Sequence, residues 1–258
     1  MSPILIIALF IPLIGTTLGS AMVLFLKKEL SPKTRKILLG FASGVMIAAS
    51  IWSLIQPAID FYPEGDFKSW LIPALGFVAG MGFLLILDMV VPHMHADKQE
   101  EGLKNTNFSR ISKMMMAVTL HNVPEGLAAG ILIASALTNQ INEQAALILA
   151  IGLAIQNFPE GAIISMPLKE EGLSRGKAFF YGFLSGVVEP IAALAALALT
   201  FFVTAILPFT LAFAAGCMIY VVVEELIPEA NEGPHSNLAT IGLTIGFVLM
   251  MILDVALS

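Results

Sequence analysis

Apolar runs of about 20 residues, the length at which an α-helix crosses a bilayer, fill most of the chain. Eight such runs are predicted as spans: Pro3–Leu26, Ile37–Ile59, Trp70–Pro92, Met114–Leu137, Gln144–Leu168, Ala178 to about Val203, about Phe209 to Ile227, and Asn237–Leu257. With 57% hydrophobic and 12% charged residues and a mean hydropathy of +0.89, the composition differs from that of soluble domains. We therefore predict an all-α membrane protein with one transmembrane domain over residues 1–258. The first run lacks the basic start and small-residue cleavage site of a signal peptide, so we expect it to remain as a span.

Lysine and arginine positions predict the orientation. Twelve of the thirteen fall next to the loops that follow the first, third and fifth spans, and only Lys68 lies on the opposite side. The positive-inside rule places these basic loops in the cytoplasm. We therefore expect a multi-pass protein of the cell membrane, inner or plasma, with both termini outside the cytoplasm.

Spans on either side of the chain centre share residues at a constant offset. Gly80 and Ile86-Leu87-Asp88 of the third span recur as Gly246 and Ile252-Leu253-Asp254 of the eighth. In the second and seventh spans the recurring residues are Gly44, Met46, Ile47, Leu54 and Ile55, matched by Gly216, Met218, Ile219, Leu226 and Ile227. Because spans five apart run in opposite directions, the pattern predicts an inverted repeat in a 3+2+3 order, with spans four and five between the halves. Inverted repeats are typical of alternating-access transporters.

Two similar hexapeptides lie in spans four and five, 35 positions apart: His121-Asn-Val-Pro-Glu-Gly126 and Gln156-Asn-Phe-Pro-Glu-Gly161. Positions i, i+3 and i+4 share one helix face, so three polar side chains converge in each motif. The connecting loop is short, which makes the two spans antiparallel neighbours. The prolines remove amide donors, and the glycines allow close packing or bending. We expect the six donors to meet: His121, Asn122, Glu125, Gln156, Asn157 and Glu160.

A third acidic residue, Glu189, lies at a similar depth in span six and also precedes a proline. No lysine or arginine lies within the predicted spans, so three carboxylates lack a basic partner and must be protonated, hydrated or bound to a cation. Imidazole, carboxylate and amide groups, with Met46 as a candidate thioether, suit a first-row divalent ion better than sodium or potassium. Zinc is the first choice, followed by iron, manganese and cadmium. Structural kinks with hydrogen-bonded glutamates, or a hydrated channel without metal, remain as alternatives.

A second polar set lies near the predicted cytoplasmic side and consists of Asp88, His93, His95, Glu224 and Glu225. These side chains could pass a metal to the cytoplasm. Ordinary polarity at the membrane interface explains them equally well.

The motifs resemble those of the ZIP (Zrt- and Irt-like protein) family of divalent metal transporters, especially its bacterial, GufA-like branch. The resemblance covers essentially the whole chain. It rests on the two hexapeptides, on Glu189-Pro190 and on Glu224-Glu225-Leu-Ile-Pro-Glu229. It implies eight helices in a 3+2+3 order, a binuclear metal site at mid-membrane and transport toward the cytosol.

The resemblance also implies ligands by position. For the first metal they are Met46, His121, Glu125, Gln156, Asn157 and Glu160. For the second they are Asn122, Glu125, Asn157, Glu160 and Glu189, so that Glu125 and Glu160 bridge. It implies an exit route through Asp88, His93, His95, Glu224 and Glu225. Some members carry aspartate where this chain has Asn157, which puts a tightly held second metal in doubt. Histidine is also common where this chain has Gln156.

We therefore expect a carrier of zinc or another divalent metal. Its expected partners are metal ions and the lipid bilayer, with no organic cofactor and no nucleic acid. A homodimer is a possible assembly. The alternatives are a proton- or sodium-linked carrier of another cation and an intramembrane enzyme. A His-Glu-x-x-His metalloprotease motif is absent from the sequence. A lipid pyrophosphate phosphatase would need basic residues beside its acids. We therefore do not expect an enzyme.

Overall fold

The computed structural model describes residues 1–25, 30–94, 100–102 and 109–257. Within them, eight helices are long and apolar enough to cross a membrane. We name them in chain order: α1 Pro3–Phe25, α2 Pro32–Asp60, α3 Lys68–Val90, α4 Arg110–Leu137, α5 Glu143–Glu170, α6 Arg175–Ala198, α7 Leu207–Asn231 and α8 Leu238–Leu257. The prediction of an all-α membrane protein with eight spans is confirmed.

Three helices on the predicted cytoplasmic side begin about a turn before the predicted spans, because serine residues cap them. The hydroxyl oxygens of Ser31, Ser109 and Ser174 each accept a hydrogen bond from the backbone amide three residues later. Such caps satisfy an amide that the first helical turn leaves free. Hydropathy alone marks where the apolar run begins, so it misses this first polar turn.

The sixth span is shorter than predicted. Helix α6 ends at Ala198, and a separate short helix, Thr200–Ala205, precedes α7. The two breaks fall at Leu199 and Ile206, whose backbone angles leave the helical region, and Pro208 lies in the first turn of α7. A proline at that position fits the start of a helix. The apolar run therefore extends across the break at Leu199, which hydropathy alone does not detect.

A small antiparallel strand pair follows α3. Strand β1, His93–Met94, pairs with β2, Glu100–Glu101, so that His93 lies opposite Glu101. Strand β1 packs against α4. Strand β1 thus lies against the helix that carries the first hexapeptide.

The eight helices pack as two groups of four. The motif group contains α4 and α5 with α1 and α6: α1 packs on α5 and α6, and α4 packs on α6. The flanking group contains α2, α3, α7 and α8, in which α2 packs on α8 and α3 on α7. The groups meet where α2 lies against α5 and α4 against α7. Exchanging α1–α3 with α6–α8, and α4 with α5, reproduces these pairs, which supports the inverted repeat; the repeat itself stays a prediction.

Glycines of the predicted repeat lie at the closest helix contacts in the flanking group. A Cβ added to Gly80 would lie 2.0 Å from the Phe213 carbonyl oxygen of α7, and one added to Gly44 would lie 2.1 Å from the Leu243 carbonyl oxygen of α8. Small residues let membrane helices approach each other at backbone distance. The recurrence of these glycines therefore has a packing cause.

Helices α2 and α7 each contain a π-helical turn just before a proline. The turns cover Ser50–Ile55 and Val222–Leu226, and the amides of Gln56 and Ile227 bond to carbonyl oxygens five residues earlier. Proline has no amide hydrogen, so the regular pattern is interrupted nearby and the π turn absorbs one extra residue. This places different side chains toward the interior than an unbroken helix would.

The two π turns make different buried contacts. On α2, Ser53 donates a 2.6 Å hydrogen bond to Asp254 Oδ1 of α8, which keeps the contact inside the flanking group. On α7, Glu225 occupies the corresponding position and contacts His121 of the motif group. The contacts lie toward opposite ends of the molecule.

Candidate metal centre

The two hexapeptides and Glu189 meet in the middle of the motif group. Helices α4 and α5 continue through Pro124 and Pro159, so each motif keeps its polar face. The three carboxylates are buried: Glu125 is 1% exposed, Glu160 8% and Glu189 2%. The three predicted carboxylates are therefore buried inside the protein.

Side-chain amides bond to two of these carboxylates. Gln156 Nε2 of α5 donates a short hydrogen bond to Glu125 Oε1 of α4. Asn157 Nδ2 donates a 2.7 Å hydrogen bond to Glu189 Oε2 of α6. Helix α5 therefore supplies donors to both neighbouring carboxylates, and the amide N–H groups balance part of the buried negative charge.

Oxygen atoms of the same motifs remain without hydrogen bonds. Within the described part of the chain, six buried side-chain atoms lack a partner, and four of them belong to the candidate ligands: Glu125 Oε2, Gln156 Oε1, Asn157 Oδ1 and Glu160 Oε1. A buried acceptor without a partner costs about 1–3 kcal/mol, and more when it is charged. Carboxylate and amide oxygens of this kind are suitable ligands for a divalent ion.

The carboxylate and imidazole side chains of the centre do not surround a single point. Among the described residues, no three His, Cys, Asp or Glu side chains lie close enough to hold one metal ion. The centre therefore depends on its amide oxygens as well as its carboxylates. Turning the Gln156 and Asn157 amides would exchange their nitrogen for oxygen and change both side chains from donors into ligands.

Helix α1 contributes to the centre, which was not predicted. Thr16 Oγ1 donates a 2.9 Å hydrogen bond to Glu189 Oε1, and Asn157 Nδ2 also lies 3.4 Å from the Pro12 carbonyl oxygen. A signal was present in the sequence, since Thr16 and Ser20 stand four residues apart and thus share a face, in a span whose one further hydroxyl residue is Thr17.

The glycine of each hexapeptide lets a neighbouring helix approach the centre. A Cβ on Gly126 would lie 2.3 Å from the Glu189 carbonyl oxygen of α6. A Cβ on Gly161 would lie 2.3 Å from the Thr16 carbonyl oxygen of α1. The predicted role of these glycines in close packing agrees with the structure, and their contacts bring α6 and α1 next to the carboxylates.

Three predicted ligands take no part in the two amide–carboxylate hydrogen bonds of the centre. Asn122 Nδ2 donates a 2.7 Å hydrogen bond to the Ser185 carbonyl oxygen of α6. His121 turns toward α7, where its Nε2 lies 2.8 Å from Glu225 Oε2. Met46 is fully buried in α2, a helix that packs against α5.

The predicted exit set is partly assembled. His93 Nε2 lies 3.1 Å from Asp88 Oδ1, and Tyr220 of α7 donates a 3.2 Å hydrogen bond to Asp88 Oδ2. Tyr220 was not predicted, because its place beside Asp88 depends on how α3 packs against α7. Glu225 is buried, whereas Glu224 is exposed, and His95 lies outside the described residues.

Together, eight candidate spans and a buried, oxygen-rich centre are typical of a polytopic membrane transport protein. Residues 112–254 match the family model described as "ZIP Zinc transporter". The zinc transporter GufA of Myxococcus xanthus is 35% identical, over 95% of this chain and 96% of its own length. Zinc transporter ZIP11 of Homo sapiens is 34% identical, over 95% of this chain and 94% of its own length. Zinc transporter ZIPB of Bordetella bronchiseptica is 36% identical, over 95% of this chain and 78% of its own length.

The chain belongs to the ZIP family of zinc transporters, as these matches establish. The predicted family is thus confirmed, and with it the expectation of a metal transporter rather than an enzyme.

Proposed function

We propose that this protein carries zinc, or a similar divalent transition-metal ion, across the membrane into the cytoplasm around the centre formed by α4, α5 and α6. The observation that carries the proposal is the set of four buried, unpartnered oxygens on the two hexapeptides. A divalent cation bound between the hexapeptides would supply a partner for such oxygens. The names of the relatives agree with zinc as the substrate.

The proposed ligands follow the two hexapeptides. The first metal would be held by Met46, His121, Glu125, Gln156, Asn157 and Glu160. A second, weaker metal would use Asn122, Glu125, Asn157, Glu160 and Glu189. Glu125 and Glu160 would bridge, and each has one oxygen free of hydrogen bonds within the described residues. Gln156 and Asn157 would turn their amides so that oxygen faces the ion.

The proposed direction is supported by where the basic residues lie. Arg35 at the start of α2 pairs with Glu229 at the end of α7, and Lys36 donates a 2.9 Å hydrogen bond to the Pro234 carbonyl oxygen. Arg175 at the start of α6 bonds to the Leu24 carbonyl oxygen near the end of α1. These basic helix ends meet on one side, which the positive-inside rule assigns to the cytoplasm. Both termini would then lie outside, in a protein of the cell membrane.

The proposed exit leads to the same side. His121 contacts Glu225, and the Asp88–His93 pair lies at the cytoplasmic end of α3. His95 and Glu224 would complete the route. Movement of the motif group against the flanking group would expose the centre to each side in turn, as expected for carriers built from inverted repeats.

Metal binding at this centre competes with protons. Carboxylate and imidazole ligands bind metal only when deprotonated, so zinc affinity should fall as pH decreases and binding should release protons. Every acidic or imidazole ligand in the set changes the zinc affinity in this same direction as pH decreases.

The test is uptake into proteoliposomes that contain a zinc-sensitive dye. The proposal predicts zinc-dependent uptake well above that of protein-free liposomes, without a requirement for sodium. Uptake of another cation driven by a sodium or proton gradient, with no zinc uptake, would favour the alternative carrier. Site-specific labelling of Met1 in sealed vesicles tests the orientation of the amino terminus.

A further inference from the structure

The imidazole of His121 lies in a contact that joins the two helix groups. Its Nε2 is 2.8 Å from Glu225 Oε2, with His121 on α4 of the motif group and Glu225 on α7 of the flanking group. The Glu225 residue is 7% exposed, so water screens the contact only weakly. The contact therefore ties the groups together at the level of the proposed site.

The other ring nitrogen of His121 is already used. Nδ1 lies 2.9 Å from the Ala117 carbonyl oxygen, one helical turn earlier. A carbonyl can only accept, so Nδ1 carries a hydrogen. Nε2 shares a second proton with Glu225 Oε2, and it is the one nitrogen that a metal can take once that proton is displaced. This arrangement of a ligating histidine, with its second nitrogen bonded to a carbonyl, is the usual one at metal sites. The same Nε2 cannot bind a metal and contact Glu225 at once.

The π-helical turn explains why Glu225 points inward. Ile227 donates its amide to the Val222 carbonyl oxygen, five residues earlier, just before Pro228. Within this turn Val223 and Glu224 are exposed, while Glu225 is buried against α4. At the corresponding turn of α2, Ser53 bonds to Asp254 within its own group. The contact between groups thus depends on Glu225 at this one position of α7.

We propose that Glu225 is a positioning residue that competes with the metal for His121 Nε2, so that metal loading releases α4 from α7. This inference rests on the proposed function and adds to it. In the unloaded centre the His121–Glu225 contact holds the two groups together. A bound metal takes the Nε2 lone pair, the proton held between Nε2 and Oε2 passes to the Glu225 carboxylate, and the contact between α4 and α7 breaks.

The competition predicts a gain of affinity when Glu225 is removed. Glu225→Ala should bind zinc about tenfold more tightly than wild type, because a hydrogen bond to a charged group no longer opposes binding. Uptake should show a lower KM together with a lower kcat. Glu225→Gln, which keeps a hydrogen bond without the charge, should lie between the two. Val223→Ala, exposed on the same turn, is the matched control and should bind zinc like wild type.

The experiment is a zinc titration of the purified full-length protein by calorimetry, with kinetics of uptake on the same variants. Tighter binding by Glu225→Ala than by wild type and Val223→Ala supports the inference. Equal or weaker binding by Glu225→Ala, while wild type binds zinc, overturns it and leaves the proposed function intact. Absence of zinc binding by wild type overturns the proposed function and the inference with it. In wild type, ¹⁵N-histidine NMR should report a change at His121 Nε2 on adding zinc; an unchanged Nε2 signal also overturns the inference.

Discussion

Asn157 donates a 2.7 Å hydrogen bond from its side-chain nitrogen to the carboxylate of Glu189, which joins α5 to α6 inside the candidate centre. An amide at position 157 can meet this carboxylate without a cation, because it supplies the N–H group that the carboxylate needs. An aspartate there would put two negative charges side by side, and such pairs require a proton or a metal between them. The residue at position 157 therefore sets how much the centre depends on a second ion.

We expect wild type to retain one zinc ion per chain after desalting and Asn157→Asp to retain two. The added carboxylate would turn a weak second site into a tight one. Elemental analysis of the desalted protein measures the stoichiometry directly. Two ions in wild type, or one in Asn157→Asp, would contradict the role assigned to this position.

Thr16→Val should weaken zinc binding by about tenfold, since it removes a 2.9 Å hydrogen bond to a buried carboxylate while keeping the side-chain shape. Without that donor, the Glu189 carboxylate loses one of the two side-chain hydrogen bonds that it accepts within the described residues. Thr16→Ser keeps the hydroxyl and should restore most of the affinity. Calorimetric titration of the three proteins measures the effect. Equal affinity in Thr16→Val and wild type would show that Glu189 needs no such support.

Gly126→Ala should destabilise the protein by about 1–3 kcal/mol or prevent folding, the range typical of overpacked cores. The new methyl group would lie 2.3 Å from the Glu189 carbonyl oxygen, which belongs to the backbone and cannot move aside easily. Gly82 of α3 is the matched control, because an added Cβ meets no atom within 4 Å there. Thermal unfolding in detergent should separate the two variants. Similar midpoints for Gly126→Ala and Gly82→Ala would contradict the close contact of α4 with α6.

Ser53→Ala should lower stability by about 1–3 kcal/mol, because it leaves the buried Asp254 carboxylate without its hydrogen-bond donor. The lost bond is the 2.6 Å contact between α2 and α8. Thr244→Ala on the exposed face of α8 removes only a bond to a carbonyl oxygen of its own helix, so it serves as the control. Thermal unfolding midpoints of the two variants and wild type, measured in detergent, test this prediction. An unchanged midpoint for Ser53→Ala would refute the proposed contribution of the Ser53–Asp254 hydrogen bond.

Much of the fold could be predicted because bilayer thickness dictates how long an apolar run must be. The helix starts at Ser31 and Ser109 were missed for a physical reason: caps are polar and lie beyond the apolar run. The break after Ala198 was misplaced, because the short helix that follows is as apolar as the spans around it.

The convergence of the candidate ligands was predicted where residues share a helix face or where a short loop makes two helices neighbours. Contacts between helices far apart in the sequence were missed. Periodicity identified Glu125 and Glu160, since residues one turn apart share a face. No local pattern links His121 to Glu225, which belong to spans four and seven. Thr16 was missed in a similar way, because its contact with Glu189 depends on the packing of α1 against α6.

The proposed function requires that the buried carboxylates of α4 and α5 bind the transported metal. Zinc uptake by Glu125→Gln in proteoliposomes tests this requirement, because glutamine keeps the side-chain size and removes the negative charge. Changes around a metal commonly cost about 10- to 100-fold, so loss of a bridging carboxylate should reduce uptake at limiting zinc by about 100-fold or more. Glu64→Gln, an exposed carboxylate in the loop between α2 and α3, should transport like wild type. Uptake by Glu125→Gln equal to wild type at all zinc concentrations would contradict the account.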